Sequence, residues 1–436
     1  MTVVRQQISH PNLQKVISFR DRSNLVFKST PIMRRLLDAV LFLCCFAGVI
    51  TLERKMSTTL NPGCGPTCDD TGTVVVYTRA EGLADVVHHL WSTVGGRPTF
   101  MVAVTPNPSQ LSIDWERFIE DHAPPGSITF EPQLPTTVFA FVIDKLIEFT
   151  DVNNTGRMDE MRSDVRISRL DMLEWTLATL DNSSTSFEGR FKPKGTPGLV
   201  TIKLNAFGEE GHGDLLPHLY HSSNSSQVDI VLDSVPNSFH GEPHAHTRRL
   251  ALKLVAAAAP AHSPVRIVAR RSLDDEHSPG VFEVTEVLAS NRHSDFGGYL
   301  QWKNVSYNWA EGRTMTNSTV LQNYAVALAS ESDVGGTLVG ALLGSPVNGS
   351  DMTPVTFSAF NVSIGAKDDN YYTKTNYATW TLLVGVGQPV EEQFSTIILA
   401  ILIVGLGLPT LLIIFGICCI IVRRFTKRTN EIILSQ

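Results

Sequence analysis

Cysteine is nearly missing from the part of this chain where it could staple a fold. Of six cysteines, Cys44 and Cys45 fall in one apolar run and Cys418 and Cys419 in another. Only Cys64 and Cys68 lie between the runs, in Asn-Pro-Gly-Cys-Gly-Pro-Thr-Cys. This excludes a disulfide framework and leaves one small loop, whose Gly and Pro residues permit a tight turn. A redox-active pair is the sharper reading of Cys64 and Cys68. No helix follows to lower a thiol pKa, however, so a structural bridge is expected. Catalytic signatures are missing as well: there is no Gly-x-Ser-x-Gly elbow, no His-Glu-x-x-His and no phosphate loop. No internal repeat of fixed period is present.

Positive charge is scarce between the apolar runs. Residues 1–35 carry seven basic and one acidic side chain and the last fourteen residues four and one, so the net −7 leaves −16 for residues 36–422. An acidic body argues against nucleic acid or an anionic membrane as partner. Twelve of the thirteen histidines sit in that body. In an acidic compartment they are expected largely to protonate and bring the net charge much closer to zero.

What the chain does have is a long apolar run near its end. Ile397 to Val422 contains no charged residue, and Arg423, Arg424, Lys427 and Arg428 follow. At 1.5 Å per residue this helix reaches roughly 39 Å, more than the ~30 Å hydrocarbon core requires. The basic cluster assigns residues 423–436 to the cytoplasmic side. A transmembrane helix is expected over 396–422. A second apolar run, Leu36 to Leu52, follows Arg34 and Arg35 and has the anatomy of a secretory signal. Residues 33–52 therefore read as a signal peptide or signal anchor. Residues 1–32 form a basic extension that lies upstream of the true start if Met33 initiates. Either way residues 53–395 belong to the secretory lumen. All seven Asn-x-Ser/Thr sequons, at Asn153, Asn182, Asn224, Asn304, Asn317, Asn348 and Asn361, fall in that interval.

The lumenal body reads as mainly β. Runs rich in β-branched and aromatic residues, bounded by Gly, Pro, Asn, Asp and Ser, occur at Val74–Arg79, Thr99–Thr105, Leu199–Ala206, Gln227–Leu232, Leu250–Ala256, Val265–Ala269, Val281–Leu288, Tyr299–Tyr307, Thr356–Ile364 and Thr379–Val386. In Thr356–Ile364, Phe357, Val362 and Ile364 read as inward positions around a local irregularity. Helix is expected only over Leu170–Leu180 and Phe139–Phe149. The fold class is an antiparallel β-sandwich-like domain plus one C-terminal transmembrane helix. The polar stretch 209–227 reads as a subdivision or an exposed loop.

Candidate chemistry is thin. Asp70-Thr-Gly-Thr resembles an aspartic protease loop, but the second carboxylate that chemistry needs is lacking. His240, His244 and His246 could hold a metal, but no carboxylate or Cys spacing sharpens the case, and solvated loop histidines are expected. Asp274-Asp275-Glu276 could bind a cation; a surface turn is expected instead. No catalytic residue, metal site or cofactor is predicted.

From Arg271-Ser-Leu-Asp-Asp-Glu-His-Ser-Pro-Gly-Val-Phe onward the chain resembles the glycosylated lysosomal membrane protein family. The likeness continues through Gln301-Trp302, Phe357-Ser-Ala-Phe-Asn-Val-Ser-Ile-Gly, Trp380-Thr-Leu-Leu-Val-Gly-Val-Gly, Pro389 and a helix containing Gly405, Gly407 and Pro409. Weaker echoes lie at His89-Leu-Trp-Ser-Thr-Val-Gly, Leu111-Ser-Ile-Asp-Trp and Leu146-Ile-Glu-Phe. The resemblance implies a type I lysosomal membrane glycoprotein without catalytic activity. It also implies an accessory subunit that shields a major facilitator superfamily dipeptide transporter from lysosomal proteases. The family's Phe-Asn-x-Ser/Thr site maps onto Asn361. Two departures stand out. The family's lumenal cysteines are mostly missing, so no disulfide pattern carries over. The tail has no Tyr, which leaves Ile432 and Ile433 as a weak dileucine-type sorting signal with Arg428 where an acidic residue is expected. A lumenal hydrolase and a cell-surface adhesion or receptor ectodomain are the alternative functions.

Overall fold

The computed structural model describes residues 53–68, 72–158, 164–170, 174–180, 185–192, 198–235, 247–274, 277–289, 297–308, 313–344, 354–369, 376–392, 394 and 396–433. The described residues open with β1 (Lys55–Leu60), β2 (Val75–Glu81), β3 (Asp85–Ser92) and β4 (Thr99–Pro106). A small hairpin, β5 (Gln110–Ile113) and β6 (Ile128–Glu131), holds helix α1 (Trp115–Glu120) in its connection. Then come β7 (Thr137–Thr150), β8 (Val165–Arg169), β9 (Glu174–Leu180), β10 (Ser186–Lys192) and β11 (Leu199–Ala206). A two-strand excursion, β12 (Gly211–His212) with β13 (Tyr220–His221), precedes β14 (Ser225–Asp233) and β15 (Arg248–Ala259). The strands that follow are β16 (Arg266–Arg271), β17 (Glu283–Leu288), β18 (Gly298–Lys303), β19 (Val305–Tyr307), β20 (Ser318–Asn323) and β21 (Ala327–Leu328). Helix α2 (Leu338–Leu343), β22 (Thr356–Ile364) and β23 (Tyr377–Val386) complete the body.

Apart from the β5–β6 and β12–β13 pairs, the strands form two antiparallel sheets. Sheet I runs β1–β2–β3–β4–β7–β15–β22, with β8 beside the second half of β7 and β21 beside β22. Sheet II runs β9–β10–β11–β14–β23–β18–β17–β16, with β19 also on β23. Strand β20 belongs to both: Val320 lies opposite Val305 of β19, and Leu321 opposite Ile364 of β22. The main core fills the space between the sheets, where Trp91, Phe100, Phe139, Phe141 and Phe360 meet Trp302, Trp380 and Leu382. The Trp302 and Trp380 rings meet edge-on, 82° apart with centroids at 5.2 Å. Gly298 is required by this packing, because a Cβ there would stand 2.0 Å from Cβ of Phe139.

A second core covers the outer face of sheet I. Here α1, α2 and the β5–β6 hairpin bury Val138, Ala140, Val142, Val255 and Ala257. Asp114 caps α1 by accepting from the Arg117 N–H at 3.3 Å, and the Trp115 indole donates to the Pro62 carbonyl at 2.9 Å. All six residues of α2 are buried. Strands covered on both faces read as near-continuous apolar runs, which is why Phe139–Phe149 imitates a helix.

The helix expected there is a strand, β7. A register shift opposite Lys253/Leu254 separates Ile143 from Leu146, both in the main core, and this spacing of three mimics helical periodicity. Of the other expected helix, Leu170–Leu180, the stretch Glu174–Leu180 is strand β9, paired with β10, and residues 171–173 lie outside the described residues. The irregularity expected in Thr356–Ile364 is also absent, because β22 keeps unbroken register against β15. Phe360, Val362 and Ile364 face the main core, whereas Phe357 packs on the second one. The polar stretch 209–227 connects β11 and β14, which pair with each other along eight positions, so it is an excursion from one sheet.

Candidate functional site: exposed sequons, buried charge clusters and the membrane stem

Asn153 is exposed on the loop after β7, and Asp151 organises that loop. Its carboxylate accepts from the Thr155 N–H at 2.9 Å and the Gly156 N–H at 2.6 Å, and also receives Arg249 Nε at 2.8 Å. Arg249 in turn donates to Asn154 Oδ1 at 2.6 Å and to Asp369 at 2.8 Å. Asp369 also accepts from Thr319 of the Asn317 sequon, so the two sequons share one charge cluster. Arg249 and Asp151 have side-chain exposures of 5% and 3%. Burial raises the Asp369 pKa, but the bonds from Thr319 and Ala366 and the charge of Arg249 outweigh it and hold the carboxyl below its ordinary value.

The other sequons differ in setting. Asn317 is exposed on a short 3₁₀ turn. Asn361 is half-buried in β22, opposite Lys253. Asn224 is half-buried, and its Oδ1 accepts twice from Arg54, at 3.1 and 2.8 Å. Asn304 is only 5% exposed, and the Nδ2 that would carry a sugar donates to Glu283 at 2.8 Å. A glycan there would displace that contact from an enclosed site. Asn182 and Asn348 lie outside the described residues.

Cys64 and Cys68 are joined in a disulfide, with Cα atoms 5.8 Å apart. Asp274 accepts from the Gly280 N–H at 2.7 Å, a turn-closing bond; Asp275 and Glu276 lie outside the described residues, as do Asp70, His240, His244 and His246. No group of three metal-ligating side chains occurs among the described residues. A Ser–His pair does occur: Ser226 Oγ and His89 Nδ1 are 2.7 Å apart. Both are enclosed in the body, at 0% and 1% exposure, where no substrate reaches them.

Burial, with Arg79 and His89 adding to it, lowers the His88 pKa to about 3. Burial and Arg54 lower His89 to about 3. His221 falls to about 4, again chiefly by burial. The expectation that the histidines charge in an acidic compartment is corrected for these three, because desolvation keeps them neutral. Sequence reasoning missed them because no strand is read over His88 and His89, which lie in β3, and His221 falls in the polar stretch read as a subdivision or exposed loop.

A second buried ion pair stands at the stem. Lys303 Nζ and Glu392 Oε1 are 2.7 Å apart, with side-chain exposures of 1% and 6%. The Lys303 ammonium lies 5.5 Å from the centre of the Phe282 ring and 3.4 Å from the Pro217 carbonyl. Gln301 reaches the Val390 carbonyl at 3.5 Å. After β23 the chain therefore folds back across the outer face of sheet II.

The terminal helix is continuous from Thr396 to Ile433, and Ile397–Phe425 is long and apolar enough to cross a membrane. Residues Ile403–Gly407 form a π-helical turn. Pro409 explains it, since a proline lacks the N–H and crowds the carbonyl four residues back, here Gly405. Thr410 Oγ1 donates to the Leu406 carbonyl at 2.7 Å, as hydroxyls do where a membrane helix is perturbed. Ile432 and Ile433 fall in the last turn of this helix.

A sandwich body strapped to one apolar helix defines a membrane-anchored β-protein. Comparison with known proteins makes this specific. Residues 74–427 match the family profile described as "Glycosylated lysosomal membrane protein". Similar proteins include "Glycosylated lysosomal membrane protein B" of Xenopus laevis, 27% identical over 84% of this chain and 89% of that one. The protein of that family in Danio rerio is 27% identical over 87% and 91% of the two chains, and that of Homo sapiens 25% over 78% and 82%. The chain belongs to the glycosylated lysosomal membrane protein family.

Proposed function

We propose that this protein is a non-enzymatic accessory subunit of a lysosomal major facilitator superfamily dipeptide transporter. Its body stands in the lumen, and its glycans keep lysosomal proteases from the transporter. The observation that carries this reading is the placement of Asn153 and Asn317 on exposed turns fixed by the Arg249 cluster. A bulky hydrated chain on a rigid turn screens neighbouring backbone better than one on a loose loop. The basic residues after the helix support the lumenal orientation.

The test begins with purification in mild detergent, where a multispanning transporter should accompany the chain. Asn153, Asn317 and Asn361 changed together to Gln should then shorten the lysosomal lifetime of both proteins, and inhibition of lysosomal proteases should restore it. The mutant must first be shown to leave the endoplasmic reticulum. A delivered triple mutant whose partner decays at the normal rate removes the shielding role. Purification without a transporter removes the accessory role.

A further inference from the structure

The stem does not hang free between body and helix. Glu392, its last pinned residue, is buried against Lys303, and the membrane helix starts at Thr396. At most ~3.6 Å per residue, those four steps span roughly 14 Å. The groups around Lys303 are therefore confined to the neighbourhood of the bilayer surface. They belong to two loops: the excursion of residues 211–221, through Pro217, and the β16–β17 connection, through Phe282. The loops also touch through His212 and His277, whose rings stack at 3.8 Å.

These loops carry the apolar side chains that the body leaves uncovered here. Leu215 is 50% exposed, Leu273 37% and Val281 61%. Asp214 and Asp274, also exposed, stand beside the two leucines. A rim of apolar side chains interleaved with carboxylates suits a zwitterionic headgroup layer, where apolar groups enter the interface and carboxylates stay in water. It does not suit an anionic surface. A helix longer than the hydrocarbon core tilts, which brings the near face of the body closer to the lipid.

We propose that the Lys303–Glu392 pair straps the body against the bilayer, with Leu215, Leu273 and Val281 seated in the headgroup layer. The partner is the lipid surface itself. The opposite face, where β22 carries Asn361, is thereby turned toward solvent.

The test uses the full chain with Cys44, Cys45, Cys418 and Cys419 changed to Ser and the Cys64–Cys68 disulfide kept. Leu215→Cys, Val281→Cys and Leu328→Cys are each labelled with an environment-sensitive fluorophore. The proteins are reconstituted in phosphatidylcholine vesicles containing a headgroup-nitroxide lipid. Leu328, 76% exposed beside β22, is the reference position. Labels at 215 and 281 should be quenched several-fold more than the label at 328. A flexible Gly-Ser spacer inserted after Glu392, which leaves the ion pair intact, should reduce them to the reference level. Equal quenching at all three positions overturns the proposal, as do labels at 215 and 281 whose emission shifts in native membranes but not in lipid vesicles, since that assigns the surface to a protein. Strong quenching that survives the spacer overturns the strap's role.

Discussion

The two buried charge clusters differ in how completely they are satisfied. Arg249 meets Asp151, Asp369, Asn154 and the Ala366 carbonyl, and Asp151 also fixes two backbone N–H groups. Lys303 has one carboxylate, one carbonyl and one aromatic face, and Glu392 Oε2 is buried without a hydrogen-bond partner among the described residues. The first is a network that ties the loops 151–156 and 366–369 to β15 and β20. The second holds one strap, which can lift away and let both charges reach water. Burying charge is expensive unless each atom finds a partner, so the same kind of interaction builds rigidity at one site and a releasable attachment at the other.

This contrast can be broken most decisively at Arg249. Arg249→Met leaves Asp151 buried without its cation and should cost about 3–5 kcal/mol, read as a large fall in the urea midpoint. A loss no greater than that of an exposed arginine such as Arg190 would remove the network's role. Glu392→Gln should cost less, about 2 kcal/mol, because the strap can detach and hydrate Lys303. Proteolysis of the stem should nevertheless accelerate. Unchanged cleavage there would mean that the ion pair does not hold the strap.

Acid sharpens the same comparison. Asp369 is held below its ordinary value, so its bond to Arg249 persists further into the acid range than an ordinary carboxylate's would. His88 and His89 have the same sign of linkage but act at higher pH. Their folded pKa of about 3 lies below the ordinary value of 6.5, so the unfolded chain binds more protons as pH falls from 6.5 toward 3. Their stabilising contribution is complete above 6.5 and is lost as pH falls, by at most about 1.4 kcal/mol per pH unit for each. Replacing either with Gln should flatten the slope of stability against pH over this interval. An unaltered slope would show that other groups carry it.

The smallest effect separates two sequons. Asn317→Gln should remove one glycan's mass on a gel with little change in stability. Asn304→Gln should leave the mass unchanged and cost about 1 kcal/mol through its bond to Glu283. A mass shift at Asn304 would contradict its enclosure.

Much of the fold was legible because strand signals are local. Leu199–Ala206 and Thr356–Ile364 coincide with β11 and β22, and Gln227–Leu232 and Thr379–Val386 fall inside β14 and β23. The sequence misled where both faces of a strand are covered, since binary alternation disappears and the register shift in β7 restores a helical spacing. Long-range charge pairs were also illegible. Arg249 and Asp151 are 98 positions apart, and no local pattern links them. Asn304 and Asn317 carry the same three-residue motif, which holds no information about burial.

Strand β23 is the last strand of the body, yet it lies in the interior of sheet II, between β14 on one side and β18 and β19 on the other. The middle of that sheet is therefore filled by the segment made last, with the membrane helix beginning at Thr396, ten residues after Val386. Until that segment emerges during synthesis, β14 and β18 present open edges and Trp302 lacks its partner Trp380. Assembly of the body is thus deferred to the moment when the chain is about to acquire its anchor, and a chain shortened before Tyr377 is left with a gap through its centre.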